Sequence, residues 1–224
     1  MPNFEFHTLA VKGHTQADLP NRFLKQTGAS RALLVMLPGL NYSCDNPLFF
    51  YTASICLAHS IDVLQLWANY NAREFQLLGE KDQLRWLVDD ATALITAGRA
   101  QRDYSHLLLA GKSISTLTLG ALFGDSDAYQ EAYAIWFTPL MRFPVVLRGM
   151  SRARPKSLFI GGSADHSLDT NLFSNFPRIP YRETIVIEGA DHSLQIPGDL
   201  PRSLDAMKTI VTAVETFITS ALAG

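Results

Sequence analysis

Short apolar runs alternate along this chain with longer segments of helical periodicity. The run from Ala32 to Leu37 is apolar at every position, as a strand covered on both faces must be. Further strand-length runs go from Ile61 to Trp67, Leu107 to Ala110, Tyr133 to Phe137, Ser157 to Ile160 and Thr184 to Ile187, and the stretch from Phe4 to Val11 reads as a leading edge strand. Between them, Pro47 opens a predicted helix to about His59, because proline fits the first helical turn. From Lys81 to about Ala97, Leu84, Leu87, Val88, Ala91, Leu94 and Ile95 recur at helical spacing. That pattern buries one stripe and leaves Asp82, Arg85, Asp89 and Asp90 on a solvated face. An amphipathic segment from Leu204 to Leu222 closes the chain. Strands alternating with helices predict an α/β fold: a mostly parallel central sheet with helices on both faces. There is no repeat, low-complexity tract or linker, and 224 residues suffice for one domain spanning 1–224.

The pattern breaks most informatively after Leu107-Leu108-Leu109-Ala110, where Gly111-Lys112-Ser113-Ile114-Ser115 interrupts the strand before the helix-like Thr116 to Leu122. A turn this tight puts Ser113 in a strained backbone conformation with its hydroxyl exposed, and needs small neighbours so that strand and helix can approach. Gly111 and Ser115 fill those positions. Gly-Lys-Ser also ends a phosphate-binding loop, but that motif requires a second glycine where this chain has His106, and a flexible loop where it has an apolar strand. Lys112 reads as a solvent-facing residue at a variable position of the turn.

Two further loops follow strands downstream. One reads Gly161-Gly162-Ser163-Ala164-Asp165, the other Glu188-Gly189-Ala190-Asp191-His192. Serine, then acid, then histidine, each in a turn just past a strand, is an order that lets one site collect a nucleophile, an orienting carboxylate and a base. Together with Leu37-Pro38-Gly39-Leu40, these motifs resemble the α/β-hydrolase superfamily, in particular its small lidless forms similar to dienelactone hydrolases and small bacterial esterases. The resemblance covers nearly the whole chain. It departs at Ser115, where glycine is usual, and at Pro38-Gly39, where His-Gly is usual.

The chemistry this implies is acyl transfer without a metal or organic cofactor. Ser113 would attack, His192 would act as base and then acid, and Asp165 would orient the imidazole. Backbone amides of Leu40 and Ile114 would receive the oxyanion. Asp169, Asp191 and Asp199 stand as alternatives for the orienting carboxylate. Tyr42, Met141, Phe143 and Leu194 are candidate substrate contacts. The resemblance implies cleavage of an ester, thioester or related acyl bond. A peptidase, a carbon–carbon bond hydrolase or a catalytically idle binding module are further readings of the same fold.

Charge narrows the partners. Nineteen Lys and Arg against 21 Asp and Glu give a net charge of −2, which offers no electrostatic case for nucleic acid or an anionic membrane surface. A small-molecule acyl substrate is the expected partner. No basic stretch followed by an apolar core opens the chain, and no apolar run is long enough to span a bilayer. Cys44 and Cys56 lack a metal-ligand or Cys-x-x-Cys spacing and read as buried thiols in a reduced compartment. The expected location is the cytoplasm. The interval between the strands at Tyr133 and Ser157 is short, leaving room for a single helix from Val145 to Met150 and no lid.

Overall fold

Hydrophobic runs and helical stripes sort into an α/β fold in the computed structural model, which describes residues 3–153, 157–168 and 182–223. The strands are β1 (Phe4–His7), β2 (Asn21–Gln26), β3 (Ala32–Leu37), β4 (Asp62–Leu66), β5 (His106–Lys112), β6 (Tyr133–Phe137), β7 (Ser157–Gly162) and β8 (Arg182–Ile187). They form one mostly parallel sheet in the order β1-β2-β4-β3-β5-β6-β7-β8. The helices are α1 (Pro47–Ala58), α2 (Arg73–Gln76), α3 (Glu80–Arg99), α4 (Ser115–Asp125), α5 (Pro144–Arg152) and α6 (Leu200–Leu222). Among the described residues no helix is long and apolar enough to cross a membrane. The chain divides into two compact units, Met1–Leu109 and Ala110–Gly224.

In the first unit, β3 is buried throughout and pairs in parallel with β4. The predicted edge strand is shorter than expected, and β2, which the hydrophobic pattern did not reveal, joins it to β4 by antiparallel pairing on both sides. The reason lies in the polar ends of β2. Asn21 and Gln26 are buried, and their amides are consumed by the backbone: Asn21 Nδ2 donates to the carbonyls of Leu9 and Leu19, and Gln26 Nε2 to those of Leu57 and Ile61. Polar side chains satisfied this way can be buried without an apolar signature.

Asp90 corrects the reading of α3. It is buried, not on the solvated face: its carboxylate accepts from the Tyr70 hydroxyl at 3.0 Å, Trp86 Nε1 at 3.1 Å and the His14 N–H at 2.7 Å. The carboxylate thereby ties the loop before β2 to α3. A side chain at Gly13 would have its Cβ 2.5 Å from Asp90 Oδ1, so the loop comes this close because that residue is glycine. Asp90→Ala leaves three buried or half-buried donors without their acceptor. We expect it to cost about 3 kcal/mol, read as a lower urea midpoint at unchanged m-value.

The second unit is built on β6, β7 and β8, paired in parallel. Trp136 of β6 stacks on Phe159 of β7 at 5.6 Å and meets Phe123 of α4 at 5.9 Å, while Phe217 of α6 is fully buried. Helices α4 and α5 pack backbone to backbone, since a Cβ on Gly149 would lie 2.5 Å from Gly120 Cα. The β6–β7 interval is thus spent on one short helix, and no lid is present among the described residues. Each strand from β5 to β7 leads into a turn whose first amide bonds to a carbonyl of the next strand. Ser113 N–H donates to Phe137 O (3.1 Å), Thr138 N–H to Ile160 O (2.7 Å) and Ser163 N–H to Ile187 O (3.0 Å). This staircase carries the register of the sheet into the loops that hold the site.

Candidate active site

Ser113 sits at the top of β5 with φ of 52°, in the left-handed region that a non-glycine residue adopts only when its surroundings enforce it. Enforcement comes from both sides: the Ser113 amide is fixed to β6, and its carbonyl accepts from the N–H and the hydroxyl of Thr116 at 2.8 and 2.6 Å. The tightness of the turn falls on Gly111, whose Cβ would meet Leu119 at 2.9 Å and the Ser115 carbonyl at 3.1 Å. Ser115 itself is buried without needing to be glycine. Ile114 occupies the N-cap position of α4, so its amide lies at the positive end of an eleven-residue helix.

The turns after β7 and β8 interlock. Gly162 admits the Ala190 carbonyl so closely that a Cβ there would lie 2.1 Å from it. Ala164 N–H donates to that same carbonyl at 3.0 Å, and Gly189 N–H to Ser163 Oγ at 2.8 Å. The contact sets Asp165 opposite His192.

The three side chains form one hydrogen-bonded chain. Asp165 Oδ2 lies 2.8 Å from His192 Nδ1, and His192 Nε2 lies 2.8 Å from Ser113 Oγ. An ionised carboxylate only accepts, so Nδ1 carries the proton, Nε2 is left as acceptor, and the Ser113 hydroxyl donates to it. The Asp165 side chain is fully buried and the His192 ring is 30 % exposed. Burial alone would push the Asp165 carboxyl upward. The hydrogen bonds from His192 and from the Ser167 amide outweigh it and hold the group below its ordinary range.

The alternative carboxylates are engaged elsewhere where they are described. Asp191 Oδ1 accepts from the amides of Ser193 (2.8 Å) and Gln195 (3.2 Å), and Asp199 caps α6 by accepting from Arg202 N–H at 3.1 Å. Asp169 lies outside the described residues. Of the candidate substrate contacts, Met141 and Leu194 are buried, and Phe143 is half-buried under the Arg142 guanidinium at 5.0 Å. In the first unit, the Tyr42 hydroxyl accepts from Leu48 N–H at 3.1 Å in the first turn of α1, and burial pushes its pKa up to about 12. Leu40 lies in the loop after β3, beside a cavity of about 200 Å³ that Asn41, Trp67, Asn69 and Asn71 also line. Cys44 and Cys56 are buried free thiols, both pushed upward by burial. No cluster of three potential metal ligands occurs among the described residues.

Lys112 overturns a sequence expectation. It is 3 % exposed, not solvent-facing. Its ammonium donates to the His192 carbonyl at 2.9 Å and to Thr138 Oγ1 at 3.2 Å. Burial drags its pKa down to about 8 against the upward pull of Asp165 and Asp191. The sequence carries a signal for this: successive residues at a strand end point to opposite sides, so with Ser113 outward Lys112 turns under the loops.

No family model matches the chain and no curated protein matches it. Solved structures do. A lidless α/β serine hydrolase from Xanthomonas campestris is 16 % identical over 96 % of this chain and 94 % of its own, with a TM-score of 0.66. Est1E from Butyrivibrio proteoclasticus, solved with ferulic acid bound, is 11 % identical over 96 % and 99 %, with a TM-score of 0.74. A dienelactone hydrolase from Anabaena variabilis is 11 % identical over 97 % and 98 %, with a TM-score of 0.70. This chain therefore shares the α/β fold of these solved structures, with a mostly parallel central sheet.

Proposed function

We propose that the protein is a serine hydrolase that cleaves an ester, thioester or related acyl bond of a small molecule through an acyl-enzyme. The observation that carries this reading is the unbroken chain Ser113–His192–Asp165, with both links at 2.8 Å. The serine hydroxyl is a poor nucleophile until a base takes its proton. His192 Nε2 accepts that proton as Ser113 Oγ bonds to the carbonyl carbon, and Asp165 stabilises the imidazolium that results. The oxyanion is received by the amide of Ile114 at the head of α4. Collapse of the tetrahedral intermediate breaks the bond to the leaving group, which takes the proton from His192. Water then repeats the sequence, with His192 as base, to release the acid and restore Ser113. No step calls for a metal or organic cofactor.

The absence of a lid among the described residues favours compact soluble acyl groups over long lipid chains, and the likeness to a structure holding ferulic acid extends the candidates to aromatic acids. The test is a panel of p-nitrophenyl esters and acyl thioesters of graded length. Turnover is expected with acetyl and butyryl compounds and to fall steeply by dodecanoyl. A flat zero across esters and thioesters, or a preference for the longest chain, contradicts the reading.

A further inference from the structure

Three turns around the site are strained, and one buried cation stands among them. Non-glycine residues take positive φ at Ser113 (52°) after β5, Thr138 (45°) after β6 and Leu194 (59°) in the histidine loop after β8. Thr138 is β-branched and fully buried, which makes its left-handed backbone a true outlier. Conformations of this kind persist only where the surroundings over-determine them. Lys112 is covalently next to the first, hydrogen-bonded to the side chain of the second, and hydrogen-bonded to the carbonyl two residues before the third.

An ammonium is a costly choice for that position, because its desolvation is repaid only by good geometry and nearby opposite charge. Both are present. Among the described residues, the carboxylates of Asp165, from the turn after β7, and of Asp191, from the turn after β8, act on it. The turn after β6 contributes the neutral Thr138 hydroxyl, and His192 contributes its carbonyl. A methionine or leucine would fill the space more cheaply but would leave the His192 carbonyl and the two carboxylates without their cation.

We propose that Lys112 is a positioning residue of the site: its ammonium clamps the main chain of His192 from below and thereby sets the imidazole between Asp165 and Ser113. This deepens the hydrolase reading and rests on it for its catalytic consequence. The clamp is a charge-assisted bond, stronger and more directional than the one a neutral amine makes. Since burial brings the amine down to about 8, the clamp slackens in mildly alkaline solution. Turnover is then expected to fall as pH rises past about 8. Stability moves the other way, because an amine whose pKa is lower in the folded than in the unfolded chain favours folding increasingly as pH rises between the two values.

The experiment compares the wild type with Lys112→Met and Lys112→Arg. Hydrolysis of p-nitrophenyl acetate is followed from pH 6 to 10, and the low-field proton resonance of the His192 Nδ1–H···Asp165 bond is recorded on each folded protein. Lys112→Met is expected to lose roughly 10- to 100-fold in kcat, the scale of a small misplacement of reacting groups, with KM within about threefold. It should show no alkaline fall in its pH profile, a shifted or broadened low-field resonance, and a melting temperature no lower than that of the wild type. Lys112→Arg, which keeps the charge, should recover part of kcat. An unchanged kcat, pH profile and resonance in a hydrolytically active Lys112→Met protein overturns the positioning role and leaves the hydrolase reading standing. A resonance that depends on Lys112 in a protein without turnover does the reverse. Should Lys112→Met not fold, the wild-type profile decides: coincident loss of turnover and resonance near pH 8 supports the clamp, and a flat profile to pH 10 refutes it.

Discussion

Ser113→Ala is expected to leave the fold and its thermal transition unchanged and to lower kcat on an activated ester on the order of 10⁴-fold or more. The substitution removes one oxygen. The strained turn survives it, because what holds φ at 52° is main-chain bonding: the amide to Phe137 and the carbonyl to the Thr116 amide and hydroxyl. Alanine tolerates that backbone no worse than serine. What disappears is the group that donates to His192 Nε2 at 2.8 Å, and with it the oxygen that attacks the acyl carbon. Residual hydrolysis would come from the oxyanion donors and substrate binding alone. The measurement is steady-state hydrolysis beside circular dichroism on the same sample, and retained activity in the folded variant contradicts the mechanism.

Asp165→Asn is expected to be nearly as damaging, about 10⁴-fold in kcat, for a different reason. The carboxylate accepts from His192 Nδ1–H and from the Ser167 amide. An amide at the same place can turn its NH₂ toward the ring, which puts the proton on Nε2 and leaves Ser113 without an acceptor. The carboxylate should also show in the acid stability of the parent. Its folded-state pKa lies below the ordinary value, so its contribution to stability is full above the unfolded value of about 4 and is lost as pH falls through the folded one. Asp165→Asn should therefore flatten the acid limb of a stability-against-pH curve. Preserved kcat together with an unchanged acid limb would show that this carboxylate does not serve His192.

How much of this is legible in the sequence depends on which physical signal each residue carries. The sequence delimits strands β3 and β6 to the residue, since runs such as Ala32–Leu37 and Tyr133–Phe137 announce burial on both faces. Three post-strand turns in serial order predict the meeting of Ser113, His192 and Asp165. What escaped was polar burial. Asn21 and Gln26 in β2, Asp90 in α3 and Lys112 in β5 all sit inside the protein because particular backbone or side-chain partners satisfy them. Several of those partners are distant in sequence: Leu57 lies 31 residues from Gln26, and His192 lies 80 from Lys112. Hydrophobic periodicity reports only the average environment of a position, and it assigned Asp90 and Lys112 to water because most charged side chains belong there. The wrong assignments coincide with the residues that tie loops together, which is where local sequence rules are expected to fail.

The central claim is that Ser113 is an activated nucleophile. Its most direct measurement is covalent labelling of the folded protein with a fluorophosphonate, read by intact mass and by mapping the modified peptide, with His192→Ala alongside. We expect a single adduct, on Ser113, formed in the parent and absent from the His192→Ala protein. A folded parent that takes no label, or one labelled elsewhere than Ser113, would contradict the account.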